Sequence, residues 1–219
     1  TQNQISGLDS FGVASFGNNS NRFFDSTMDI SGEWDGVASL SPNLFMVDKN
    51  GGKPIALTKN TKAGYNSVLE TVSPKGDKVA VLSRTDLNGA WDGISTVIFN
   101  LLLFSTDGKS KIALTKNTKA GLDTRGSSFF PDGKKLAFIS TMSLTGAWDG
   151  VKSPQLNIWT INSDGTDLKN ITSYKKSNFS GITVSPDGQK IVYRGNMALD
   201  GSDVAIPASN IWIMNADGS

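Results

Sequence analysis

The sequence contains no cysteine and no histidine. Without cysteine there is no disulfide framework and no thiol nucleophile, which suits a protein that works outside the cytoplasm and avoids stray thiols. Without histidine the commonest general base and the commonest metal ligand are missing. No Ser-His-Asp or Cys-His set can then be assembled. A Gly-x-Ser-x-Gly elbow is absent too, so the chain carries no peptidase-type catalytic domain. Charge of one sign is also lacking: 21 Lys and Arg face 20 Asp and Glu, mixed along the chain. That balance lacks the basic footprint of a nucleic-acid binder. No apolar run approaches the roughly 20 residues of a membrane span. The strongest run, 97–104, is strand-length and contains Asn100. No signal peptide is visible, and the start at Thr1 predicts that an upstream segment was removed or is not included.

What the chain does have is a repeat. Trp-Asp-Gly occurs at 34–36, 91–93 and 148–150, each step being 57 residues. The octapeptide Leu-Thr-Lys-Asn-Thr-Lys-Ala-Gly stands at 57–64 and again at 114–121. Pro74 and Pro131 keep the same step, as do Gly108 and Gly165. A fixed period of this size means repeated supersecondary units.

The third repeat reads most clearly. Ser127 to Phe130 is a short first strand, and Pro131-Asp132-Gly133-Lys134 is a tight turn. Lys135 to Ser140 is a second strand. A polar loop, 142–155, carries Trp148-Asp149-Gly150. Asn157 to Asn162 is a third strand, Asp164-Gly165 a hairpin turn, and Leu168 to Thr172 a fourth strand. The second repeat has Pro74-Lys75-Gly76-Asp77 and Asp107-Gly108 at its turns, and the fourth has Pro186-Asp187-Gly188-Gln189 and Asp217-Gly218. In the first, Phe16-Gly17-Asn18-Asn19 replaces the Pro-Asp-Gly turn. No helical period occurs. The pattern predicts one all-β domain over 1–219, a β-propeller of four-stranded antiparallel blades that is open to being a partial ring or a piece of a larger one. Its repeats fall at about 10–65, 66–122, 123–179 and 180–219, and the last lacks its outer strand.

Ser185-Pro186-Asp187-Gly188, Lys190-Ile191-Val192-Tyr193, Asn210-Ile211-Trp212 and Asn215-Ala216-Asp217-Gly218 together resemble the TolB-type propeller repeat. The same string stands at Pro131 to Phe138, Asn157-Ile158-Trp159 and Asp164-Gly165. The resemblance covers essentially the whole chain, weakly in the first repeat. It implies a propeller like those of periplasmic TolB, of secreted and lipid-anchored bacterial proteins, and of prolyl-oligopeptidase-like peptidases. The loop between the second and third strands is longer here than the resemblance implies.

If the strands of each unit are named a to d, successive antiparallel strands alternate their connections between two faces. The a–b and c–d turns share one face; the b–c and d–a loops share the other. Loops on a rigid scaffold are where binding usually resides. The Trp-Asp-Gly loops therefore supply the candidate binding residues: Trp34, Asp35, Trp91, Asp92, Trp148, Asp149 and, in the reduced fourth copy, Asp203. Three readings are open. The rings plug gaps between blades while the carboxylates order loops by bonding backbone N–H groups or lysines such as Lys62 and Lys119. Alternatively Asp86, Asn88 and Asp92 are oxygen ligands for Ca²⁺, although the third repeat has Ser143 and Thr145 in place of the first two. In the third reading, rings and carboxylates form a platform for glycans or extended peptides. Asn43, Asn100, Asn157 and Asn210 open strand c in every unit, where such side chains satisfy backbone groups.

The expected function is that of a non-enzymatic module, structural or binding a protein or other ligand, acting through its loop-rich face. The expected setting is extracytoplasmic: periplasmic, cell-surface or secreted. Two alternatives stand beside it: the substrate-gating propeller of a larger hydrolase, and a self-assembling structural repeat protein. Expected partners are a protein, a glycan or another copy of the chain, with no nucleic acid. No cofactor is expected apart from the Ca²⁺ candidate. Aligned on the repeat, Thr1 matches Thr58 and Thr115, and Gly7-Leu8-Asp9 matches Gly121-Leu122-Asp123. Strand c of the last unit then has an open edge, which is expected to be covered by a longer native chain, by the N-terminal segment or by a second copy.

Overall fold

The computed structural model describes residues 10–15, 21–27, 41–60, 67–84, 98–119, 122–148, 153 and 155–219. These residues form antiparallel sheets whose strands follow chain order, with no helix among them. The first sheet is β1 (Ser10–Ser15), β2 (Arg22–Ser26), β3 (Asn43–Val47) and β4 (Ile55–Ala56). The second is β5 (Ser67–Val72), β6 (Lys78–Ser83), β7 (Asn100–Ser105) and β8 (Lys111–Ala113). The third is β9 (Thr124–Phe129), β10 (Lys135–Ser140), β11 (Asn157–Asn162) and β12 (Lys169–Asn170). The fourth has three strands, β13 (Phe179–Val184), β14 (Lys190–Met197) and β15 (Ala205–Asn215). By compactness the chain divides into two units, residues 1–97 with 102–111, and residues 98–101 with 112–219.

The turns explain why the sheets are so regular. Gly76, Gly133 and Gly188 close the a–b turns at φ of 70°, 69° and 72°. Each donates its N–H to the carbonyl three residues back, on Ser73, Phe130 and Ser185. Gly108, Gly165 and Gly218 close the c–d turns in the same way. Only glycine takes the left-handed region without steric cost. In the second, third and fourth repeats the two turns touch, Thr106 N–H donating to Asp77 O at 3.0 Å in the second. Ser163 N–H donates to Lys134 O at 2.8 Å and Ala216 N–H to Gln189 O at 2.9 Å. The a–b and c–d turns thus share a face, as strand geometry requires.

A buried asparagine organises the opposite end of each of the first three sheets. Asn157 Oδ1 accepts from Thr172 Oγ1 at 3.0 Å and from Tyr174 N–H at 2.8 Å, while its Nδ2 donates to Tyr174 O at 3.0 Å. Ile158 N–H in turn donates to Thr172 Oγ1 at 2.8 Å. Asn100 makes the same set with Thr115 and Asn117. Asn43 makes it with Thr58 and Asn60. These clasps fix the entry of strand c against the exit of strand d. They then reach forward: Asn60 Nδ2 donates to Ser67 Oγ at 2.8 Å, and Ser67 Oγ bonds Ser83 Oγ at 2.8 Å.

Strands b and c of the first three sheets are buried on both sides, which is why they read as apolar runs and not as alternation. Leu136 to Ile139, Ile158, Trp159 and Ile161 are all at most 1% exposed. The strands differ from the sequence expectation in three places. β9 begins at Thr124 and not at Ser127, because the pairing with β10 continues past a bulge at Gly126, whose φ is 52°. β12 spans only two residues and not 168–172. There Thr172 turns its hydroxyl onto the Ile158 N–H, where a ladder bond would otherwise form. β15 starts five residues before Asn210, since a seven-residue b–c connection lets Ala205 pair with Met197 beyond a bulge.

The clasp predicts a specific cost. Asn100→Ala leaves buried groups of Asn117 and Thr115 without their partner. It should lower the urea-unfolding free energy by about 3 kcal/mol, against about 1 kcal/mol for the exposed control Lys109→Ala at most.

Candidate functional site

The loop face is described best where the third and fourth sheets meet. The d–a connection there runs over 171–178 and the b–c loop of the fourth sheet over 198–204. Gly201 N–H closes a turn onto Ala198 O at 2.8 Å, and Ser202 N–H donates to Asp200 Oδ1 at 2.9 Å. This turn projects Asp203 over the neighbouring loop. Its carboxylate accepts the N–H groups of Lys175 at 2.7 Å, Lys176 at 3.0 Å and Ser177 at 2.9 Å. Burial pushes the Asp203 carboxyl up, but the bonds from Lys175, Ser177 and Lys176 outweigh it and hold the group below the usual carboxylate range. Asp203 is therefore a clamp between two loops. The side chains of Lys175, Lys176 and Leu199 stand exposed around it, Leu199 at 77%.

Beneath the clamp lies an aromatic ladder. Tyr174 meets Phe179 edge-on at 5.3 Å, and Phe179 meets Tyr193 likewise at 5.3 Å. Such pairs favour this offset because ring edges are positive and faces negative. Tyr174 Oη donates to Gly201 O at 3.3 Å, tying the ladder to the loop turn. Burial, with Tyr174 beside it, pushes the Tyr193 hydroxyl up to about 12. Gly195 makes room for the ladder, since a Cβ there would lie 3.1 Å from the Phe179 ring. A cavity of about 520 Å³ opens beside it, lined by Tyr174, Tyr193, Asp203, Thr172 and, on β15, Ile213 and Met214.

Of the sequence candidates, Asp203 and Trp148 are described. Trp148 is half-buried at the end of a turn that Gly146 closes onto Ser143 O at 2.8 Å. Trp34, Asp35, Trp91, Asp92 and Asp149 lie outside the described residues, as do the Ca²⁺ candidates Asp86, Asn88 and Asp92, and Lys62. In the third repeat, Ser143 Oγ and Thr145 Oγ1 bond each other at 2.8 Å. Among the described residues no three acidic side chains cluster closely enough to hold a metal ion. Sequence reasoning passed over Tyr174 and Tyr193. The signal was present in the departure at 174, where Tyr takes the place of Asn60 and Asn117.

One ionisable group elsewhere is displaced by its surroundings. Asp25 on β2 is 3% exposed, and its pKa is raised from 3.8 to about 7 by burial, partly offset by the Leu69 N–H at 3.4 Å.

No family model matches this sequence, and no curated protein emerges as a relative. Solved structures do match. A putative TolB from Agrobacterium tumefaciens superposes with a TM-score of 0.57 at 20% identity, covering 91% of this chain and 58% of that one. TolB from Acinetobacter baumannii gives 0.55 at 18% identity, covering 93% and 41%. The fold is a β-propeller. A third similar propeller is a domain of the Trilobed protease from Pyrococcus furiosus, described as having an open velcro topology. Its TM-score is 0.54 at 11% identity, covering 94% and 54%. The chain thus spans about half the length of these propeller structures.

One outcome follows from the site and one from Asp25. With Asp203→Ala, amide hydrogen exchange at Lys175, Lys176 and Ser177 should accelerate about tenfold or more, while the amides of β10 and β11 keep their rates. Asp25 gives a pH signature. Its folded pKa lies above its unfolded value, so the folded state holds the proton more tightly. Its effect on stability is absent below about pH 4 and becomes increasingly unfavourable as pH rises towards about 7. Asp25→Asn should remove that decline, so the gain in unfolding free energy over wild type should grow from pH 4 to pH 7 in chemical denaturation.

Proposed function

We propose that this chain is a non-enzymatic propeller module that binds a protein partner through its loop face, outside the cytoplasm. The observation that carries the reading is the Asp203 clamp. It fixes two loops of adjacent repeats into one surface and leaves Lys175, Lys176 and Leu199 exposed on it. A cationic pair beside an apolar tip fits an extended peptide segment with acidic and apolar side chains. Loop pre-organisation favours such binding, because the entropy of ordering is met during folding. The sequence supports the non-enzymatic part through its lack of histidine and cysteine. It supports the extracytoplasmic part through the same lack of cysteine, and the likeness to TolB adds to that support.

A second reading draws on the likeness to a protease's propeller domain: this chain as the substrate-gating part of a larger hydrolase. A peptide-binding loop face serves both readings, and the companion domain distinguishes them.

Peptides selected from a phage library on the immobilised chain should bind the loop face. Lys175→Glu with Lys176→Glu should weaken them at least about tenfold, with circular dichroism unchanged. Peptides that bind the folded double variant as tightly as wild type would remove the reading.

A further inference from the structure

The cavity beside the aromatic ladder has a divided wall. Ile171 and Met214 give it an apolar side. The polar side is built from hydroxyls and one carboxylate, and the protons of those hydroxyls can be traced. Thr172 gives its proton to Asn157 Oδ1 at 3.0 Å and accepts the Ile158 N–H at 2.8 Å. Ser173 Oγ donates to Asn170 Oδ1 at 3.1 Å. Tyr174 Oη donates to Gly201 O at 3.3 Å. A hydroxyl has one proton to give and two lone pairs, so the oxygens of Ser173 and Tyr174 are left as acceptors. Asp203 is an acceptor only, and its bonds from three backbone N–H groups hold it ionised. Among the described residues it is the one ionised side chain of the lining.

Tyr193 stands apart from these. The residue is 5% exposed and lines the cavity, yet its hydroxyl meets no hydrogen-bond partner among the described residues. A hydroxyl buried to this degree normally has one. A ligand group in the cavity that bonds Tyr193 Oη therefore recovers free energy that the fold leaves unused.

Side chains that present acceptors and one negative charge select a cation that brings its own N–H donors. A carboxylate ligand meets the Asp203 charge and finds a single free side-chain donor, the Tyr193 hydroxyl. An aromatic lining favours a cation further. About 520 Å³ is far more than a bare ion needs. Lysine and arginine carry a charged head on a long aliphatic stem, which matches a wall divided into polar and apolar sides. We propose that this cavity binds the side chain of a lysine or arginine. The head lies between Asp203 and the hydroxyls of Tyr174 and Tyr193, and the stem runs along Ile171 and Met214. The inference rests on the peptide-binding reading for the source of that side chain, while the chemistry of the cavity stands without it. The peptide then carries both signs, with acidic residues at Lys175 and Lys176 and a basic residue in the cavity.

Amide NMR titration of the 219-residue chain tests this with two small probes, Nα-acetyl-lysine methylamide and Nα-acetyl-arginine methylamide. At least one should shift the amides of 171–174, Tyr193 and Asp203, with a Kd on the order of 1 mM. Acetylating the lysine probe at Nζ removes its charge and should weaken it at least about tenfold. Tyr193→Phe keeps the ring and removes the unmet hydroxyl. It should weaken binding about fivefold or more, with the other amide signals unchanged. Equal binding of the neutral probe, shifts confined to other residues, or a folded Tyr193→Phe variant that binds as tightly as wild type would each overturn the proposal. Selected peptides that bind the loop face while both cationic probes leave the cavity amides unmoved would also overturn it, and the peptide reading would stand. Cavity binding of the probes with no peptide selected would support the site and remove the peptide reading.

Discussion

An asparagine buried at the start of strand c is tolerable only when its amide is fully engaged, and the geometry of the repeats follows from how that is done. Its oxygen takes a threonine hydroxyl and a backbone N–H from the end of strand d, and its nitrogen gives to a backbone carbonyl there. An unmet amide in such a place costs more than a hydrogen bond normally contributes, so the arrangement is close to all-or-none. Strand d can then be short. β4 and β12 have two residues each because the threonine hydroxyl, and not a longer ladder, holds the chain in register. Where the next residue type allows, the clasp extends to the following repeat, as from Asn60 through Ser67 to Ser83.

The loop face uses a related device with a charge. Asp203 meets three successive backbone N–H groups that strand geometry leaves without ladder partners. In the other repeats the loop at this place is longer and carries tryptophan. The fourth repeat has a shorter loop, no tryptophan and a carboxylate reaching sideways. The Tyr174, Phe179 and Tyr193 ladder fills the space below. The same face thus combines a repeated framework with local chemistry that differs from one repeat to the next.

Much of the fold is legible in the sequence because the repeat exposes it several times over. Lys135 to Ser140 and Asn157 to Asn162 appear as strands with the limits read from composition alone, since a turn glycine or a clasp asparagine marks their ends. The extension of β9 past Gly126 was not legible, because a bulge breaks the pairing pattern that composition reveals. Nor was the length of β15, which depends on how short its b–c loop is and runs through Pro207. At the site, the sequence singled out Asp203 but not its three partners. Backbone donors leave no mark in a sequence. The tyrosines were harder to read: Tyr174 shows only as a departure from Asn60 and Asn117, and the repeat does not mark Tyr193.

The clasps also bear on how the chain folds. Each joins residues only 14 to 17 positions apart, so closing one demands little loop entropy. A repeat can form its clasp before its neighbours exist, and nucleation has at least three equivalent starting points along the chain. Near-identical segments with the same local code carry the opposite hazard. The octapeptides at 57–64 and 114–121 can each answer the other's asparagine, so register exchange between repeats is the characteristic kinetic trap of this architecture.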